Sequence, residues 1–164
     1  MRDKVWSLLS DCKFKSFYMG FMIFKFQKRD LIINIFLAVA ASGSIAAWAI
    51  WNVYPMLWGA IIATSQIVTT IKPYFPYYKY VKELNEKLVR INYLNIELEK
   101  LWYKMQEEKI TLDDASEQYF ILQKELTDIL NFSDDSVYDV NNNAKKKAET
   151  EMKIFYKSQY NIYQ

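Results

Sequence analysis

LIINIFLAVAASGSIAAWAI (residues 31–50) decides the fold, together with the short break WNVYP (51–55) and the second apolar run MLWGAIIATSQIVTTI (56–71) that follow it. No charged residue occurs between Asp30 and Lys72. At about 1.5 Å per helical residue, the first run reaches about 30 Å, the thickness of a bilayer's hydrocarbon core. The second reaches about 24 Å, so it needs flanking anchors or a thinned bilayer to span. Joined by so short a break, the two runs are expected to fold as an antiparallel hairpin. The sequence therefore predicts an all-α protein with a transmembrane helical hairpin over 31–71. An amphipathic cytoplasmic segment (1–30) precedes it, and a cytoplasmic long helix and short helical bundle (72–164) follow. The competing reading is a hairpin buried in a soluble core. A chain of 164 residues is small for burying two such helices on every face.

The mean hydropathy is slightly negative, because an apolar quarter is averaged with polar helices. Basic residues set the expected topology. Arg2, Lys4, Lys13, Lys15, Lys25, Lys28 and Arg29 precede the first run, Lys72, Lys79 and Lys82 follow the second, and the break carries none. The positive-inside rule then places both termini in the cytoplasm. Trp48, Trp51, Tyr54 and Trp58 suit an outer aromatic belt, and Tyr74, Phe75, Tyr77 and Tyr78 an inner one. No cleavable signal peptide is expected, since the apolar run starts late and lacks a fitting cleavage site. The single cysteine, Cys12, forms no intramolecular disulfide and fits a reducing compartment as an inert thiol.

Within residues 1–30, Trp6, Leu9, Phe14, Phe17, Tyr18, Phe21, Met22, Phe24 and Phe26 recur at helical spacings among lysines. Such a helix lies on the membrane surface, packs on the rest of the protein, or does both. Pro73 and Pro76 break the chain after the second run. A long helix is expected from Tyr77 to Lys109. Val81, Leu88, Asn95 and Trp102 occupy one heptad core position, and Leu84, Ile91, Leu98 and Met105 the other. Four heptads with one Asn suit an oligomeric coiled coil, and the same stripe suits cover by the chain's own later helices. Thr111 is the expected N-cap of LDDASEQYFILQKELTDIL (112–130), with Leu112, Ala115, Tyr119, Leu122, Leu126 and Ile129 on its apolar face. A polar loop leads to a last helix near 144–163, presenting Ala148, Met152, Phe155, Gln159 and Ile162. Residues 111–140 hold eight acidic residues and one basic, between two net-basic segments. This block either docks on basic helices or is a solvated face.

The composition argues against catalysis. There is no histidine, and one cysteine excludes thiolate metal clusters. Three glycines leave no phosphate-cradling loop. The adjacent carboxylates Asp113/Asp114 and Asp134/Asp135 suit capping and turns. No enzyme activity, cofactor or metal is expected, nor direct nucleic-acid binding. Lys145, Lys146 and Lys147 suit a solvated helix start, with anionic lipid or nucleic acid as the other reading.

The hairpin carries the remaining signal. Ala40 and Ser44, Gly43 and Ala47, and Gly59 and Ala63 form small-xxx-small pairs that suit close helix packing in lipid. A fold near Val53 puts Ser42 level with Thr64 and Gly43 level with Ala63. Thr64, Ser65, Gln66, Thr69 and Thr70 form a polar stripe on the second run, and Asn34 adds an amide to the first. The candidate polar face is therefore Asn34, Ser42, Thr64, Gln66, Thr69 and Thr70. Such groups serve either as hydrogen-bond glue within a static hairpin or as the lining of an aqueous path between assembled hairpins.

The basic and aromatic N-terminal segment, KRDLIINIFLAVAASGSIAAWAI, the WNVYP turn, MLWGAIIATSQIVTTI and the helix from Tyr77 onward resemble the SLATT-type two-span effectors of bacterial antiphage defence. The resemblance is architectural, covers most of the chain and rests on no catalytic motif. It implies a multi-pass inner-membrane protein that homo-oligomerises and permeabilises the lipid bilayer. It also implies a co-encoded nucleotide synthase, sensor protein or reverse transcriptase complex as partner, as in CBASS and retron systems. The alternative from another class is a non-catalytic membrane-anchored scaffold that docks a cytoplasmic partner.

Overall fold

The computed structural model describes residues 1–51, 55–74, 77–132 and 141–160, with side chains described for these except 42–51, 55, 58, 78 and 160. The described residues are helical apart from short connections, with no strand. The elements are α1 (Arg2–Trp51), α2 (Pro55–Ile71), a 3-10 turn (Lys72–Tyr74), α3 (Tyr77–Gln106), α4 (Leu112–Leu130) and α5 (Asn142–Tyr160). They form two compact units. One holds Met1–Ile23 and Lys82–Gln164, and the other Phe24–Val81.

No helix end falls at residue 30. The N-terminal segment and the first apolar run are one helix of 50 residues. The reason is local: between Lys25 and Phe36 there is no Gly or Pro, and Lys28, Arg29 and Asp30 interrupt the hydropathy without interrupting the backbone. The expected break after the second run is present. Pro55 opens α2, and α2 ends at Ile71 before Lys72 and Pro73.

The transmembrane hairpin of the sequence-based expectation is not shown. Among the described residues, no helix is long and apolar enough to cross a membrane. α2 has only 17 residues. The first run extends into residues 42–50, whose side chains lie outside the described set.

The first unit is an antiparallel bundle built from the start of α1, most of α3, α4 and α5. Leu84, Ile91, Leu94, Leu98 and Leu101 of α3 are almost fully buried. Val5, Leu9, Cys12, Met19 and Met22 of α1 are buried at spacings of three, four and seven residues, which keep to one helix face. The N-terminal segment therefore packs on its own protein, the second of its readings. Val5, Leu101, Met105 and Ala115 make one cluster, against which Trp102, Ile110, Tyr119 and Leu122 pack. Trp6 stacks in tilted fashion on both Trp102 and Tyr156, each at 5.2 Å between ring centroids. The Tyr156 hydroxyl donates to Ser10 Oγ at 2.9 Å.

Polar ends fix the register of the later helices. Thr111 caps α4, its Oγ1 accepting from the Asp114 amide at 3.1 Å. The α4 limits coincide with those expected. Asn141 caps α5 by accepting from the Ala144 amide at 3.0 Å, and its own amide donates to the Tyr18 hydroxyl at 3.0 Å. Lys87 reaches the other end of α4 and donates to the carbonyls of Ile129 and Asn131. Its ammonium also lies 4.4 Å from the Phe132 ring centroid. A cation there complements the negative end of the α4 dipole.

α3 stops at Gln106, three residues short of the expected Lys109. The Lys109 amide bonds back to the Lys104 carbonyl at 2.9 Å, and Glu108 sits at φ 53. This is a Schellman closure with glutamate where glycine is usual. Replacement Glu108→Gly relieves the left-handed strain. It is expected to stabilise the protein by about 1 kcal/mol, measured as a rise in denaturant midpoint at unchanged slope.

Candidate functional site

The second unit exposes apolar surface on most of its length. Leu31, Ile32, Ile35 and Val39 of α1 and Met56, Leu57, Ile62, Ile67 and Ile71 of α2 are all exposed. A contiguous apolar surface on a small unit marks an interaction with lipid or protein. Ile33, Asn34, Phe36, Leu37 and Ala40 are half-buried at helical spacings on α1, and Ile61, Ser65 and Val68 form the matching stripe on α2.

Asn34 links the two charges that bound the uncharged stretch. Its amide donates to the Asp30 carboxylate at 2.9 Å, and its carbonyl oxygen accepts from the Lys72 ammonium. The Asn34–Lys72 pairing brings the two ends of the uncharged stretch together. Beyond it, Phe26 lies 5.8 Å from Tyr77 and 5.7 Å from Tyr80 between ring centroids.

The polar stripe of α2 is arranged differently from the expected face. Thr64, Gln66, Thr69 and Thr70 are exposed, and Ser65 is the polar residue in the half-buried stripe. Four hydroxyls bond to carbonyls of their own helix. Thr64 donates to Ala60, Ser65 to Ile62, Thr69 to Ser65 and Thr70 to Gln66, at 2.8–2.9 Å. Back-bonding of this kind satisfies the hydroxyl without a second helix. Among the described residues, the exposed Gln66 amide has no such partner. Asn34, the member of the face on α1, is spent on Asp30 and Lys72. Ser42, Gly43, Ser44 and Ala47 lie outside the described side chains.

Among the described residues, the glycine and alanines of α2 lie on its exposed side. Gly59 and Ala63 are exposed, and a Cβ built on Gly59 meets nothing within 4 Å. Ala40 is half-buried.

The expected oligomer stripe on α3 faces the chain's own helices. Leu84, Ile91, Asn95, Leu98 and Met105 are buried, while Val81, Leu88 and Trp102 are half-buried. The partners are the start of α1 and α4, which the heptad pattern by itself does not reveal. Asn95 is 3 % exposed, and neither its Nδ2 nor its Oδ1 has a hydrogen-bond partner. An unpaired buried amide costs about 1–3 kcal/mol. Asn95→Leu is expected to raise the thermal midpoint, and calorimetry of the two proteins checks it.

Cys12 is fully buried, with its thiol directed at the Ile91 carbonyl at 3.8 Å. Burial, aided by Asp11, pushes its pKa up to about 12. Burial also raises the Tyr156 hydroxyl above its ordinary value and lowers Lys87. Among the described residues, no group of three His, Cys, Asp or Glu side chains is placed to hold a metal ion. Asp113 and Asp114 lie in the first turn of α4, the capping role expected of them. No family model, curated protein or solved structure matches the chain.

The Cys12 shift has a defined sign. Above the ordinary thiol pKa the unfolded chain loses the proton while the folded chain keeps it. This contribution to stability is therefore full below pH 9 and declines as pH rises from 9 toward 12. A thiol-reactive chromophore at pH 8 is expected to leave the folded protein unlabelled and to label it at once in denaturant. Rapid labelling of folded protein contradicts the burial.

Proposed function

We propose that this protein is a bacterial inner-membrane effector that oligomerises and permeabilises the bilayer in antiphage defence, arresting growth or killing the cell. The observation that carries the reading is the exposed apolar surface of residues 24–81, unbroken by charge from Leu31 to Ile71. The hydroxyls of α2 support it, because a helix that satisfies its own polar groups tolerates lipid. So does the chain order. Residues 24–81 are bracketed in sequence by two parts of one compact unit, which favours an even number of membrane crossings with both termini on one side; the basic flanks Lys28, Arg29 and Lys72 favour the cytoplasm for that side. α2 reaches about 25 Å at the helical rise, so insertion requires local thinning of a bilayer core of about 30 Å. The absence of histidine and of a thiolate pair supports a non-catalytic role. The word "defence", and a co-encoded nucleotide synthase, sensor or reverse transcriptase as partner, rest on the architectural resemblance alone.

The second reading is a membrane-anchored scaffold that docks a cytoplasmic partner. It is favoured by the same back-bonded hydroxyls, which leave little polar surface for a water path. The two separate at Gln66. In a pore, the unspent amides of several copies supply the polar lining, whereas an anchor has no use for them.

Expression in bacteria with a voltage-sensitive dye tests this. The pore reading expects depolarisation by the wild type, loss of it with Gln66→Leu, and near-normal activity with Thr69→Val or Thr70→Val. Depolarisation that survives Gln66→Leu removes Gln66 from the path. An unchanged membrane potential in triggered cells removes the pore.

A further inference from the structure

α3 is apolar on two sides. The buried side holds the Leu84-to-Met105 stripe. On the opposite side Val89, Tyr93, Ile96 and Tyr103 are each more than half exposed. With the exposed Glu86 and Lys100 they follow a strict alternation of three- and four-residue steps. That is a heptad seam, and among the described residues it stays more than half exposed at Val89, Tyr93, Ile96 and Tyr103, with only the Lys109 ammonium over one end, 5.4 Å from the Tyr103 ring centroid. Three clefts on this unit are lined by none of these residues.

We infer that this outer face of α3 is a symmetric dimer interface, on which a second copy of the chain docks with its α3 antiparallel. The charges select the occupant and the direction. A parallel pairing sets Lys100 against Lys100 and Glu86 against Glu86 inside the seam, both repulsive. The antiparallel register that layers Tyr93 on Ile96 of the second copy removes both conflicts. It sets the aliphatic stem of Lys100 against Val89. It sets Glu86 against Tyr103, whose hydroxyl donates to the carboxylate. It also brings Arg90 beside Glu97 of the second copy, and by symmetry Glu97 beside Arg90. Arg90 and Glu97 are both exposed in the single chain. Lys100 here pairs with Glu97 of its own helix at 3.5 Å, an exposed bridge that costs little to exchange. Tyrosine and arginine are also the residue types that anchor interfaces.

This surface supplies an assembly contact for the proposed effector, but its test does not depend on that reading, because association is measured apart from membrane potential. The experiment is a charge exchange on the purified full chain in mild detergent, followed by light-scattering mass across a concentration series. The wild type is expected to reach dimer mass. Arg90→Glu and Glu97→Arg each place like charges at two symmetric contacts and are expected to weaken association roughly tenfold or more. The combined Arg90→Glu/Glu97→Arg variant restores opposite pairs and is expected to recover wild-type association. Helical circular dichroism of each variant confirms that the bundle is intact. A wild type that stays monomeric overturns the inference, as do single variants that associate normally. Failure of the double variant to recover overturns the antiparallel register, because a parallel pair sets these residues against Asn85 and Asn92 instead.

Discussion

Leu84, Ile91, Leu94, Leu98 and Leu101 of α3 are withdrawn from water by side chains that come from opposite ends of the sequence. Each such burial contributes about 1.5–3 kcal/mol before conformational entropy is counted. Without the start of α1, one flank of this row is open. Without α4, the cluster of Val5, Leu101, Met105 and Ala115 loses its cap. The ion pairs and caps refine this arrangement and do not replace it. Lys13–Glu99, at 3.4 Å and partly exposed, belongs to the class worth less than about 1 kcal/mol.

Division of labour between the two units follows from their surfaces. The bundle hides most of its leucines and presents charge, with an apolar seam on α3 and further exposed apolar residues at Leu112, Phe120, Ile121 and Ile154. The segment 24–81 does the reverse and presents its isoleucines and leucines. Two residues of similar chemistry show how context changes the outcome. Asn34 at a charged boundary satisfies both ends of its amide, through Asp30 and Lys72. Asn95 in the bundle core satisfies neither. The first adds local order, and the second is a weak point in the interior of α3.

Much of this was legible in the residues, and the gaps have physical causes. α4 was readable to its ends because Thr111, two following aspartates and a clean apolar period all agree. The heptads of α3 correctly marked its buried face, but a stripe carries no label for what covers it. The partner here is the start of α1, whose core residues Val5, Cys12 and Met19 are less conspicuous than the aromatics around them. α1 runs unbroken through Lys28, Arg29 and Asp30 because charge marks a change of environment, while only backbone chemistry marks a helix end. Of the α2 hydroxyls, four turned inward to their own carbonyls, a choice that rotamers make and spacing does not reveal. The outer seam of α3 was present in the sequence too, hidden by the stronger stripe behind it.

Cys12 meets Ile91 across 79 residues, and Ser10 meets Tyr156 across 146. Contacts of such separation slow folding, because long loops must close before any burial rewards them. During synthesis the first turns of α1 emerge well before α3. At roughly 5–20 residues per second, the wait from Ile23 to the end of α3 is about 4–17 s. In that interval the apolar segment 24–81 is complete while the bundle that brackets it has no core. The order of emergence thus leaves the apolar segment 24–81 of a translating chain exposed before the bundle can fold around its own N-terminus.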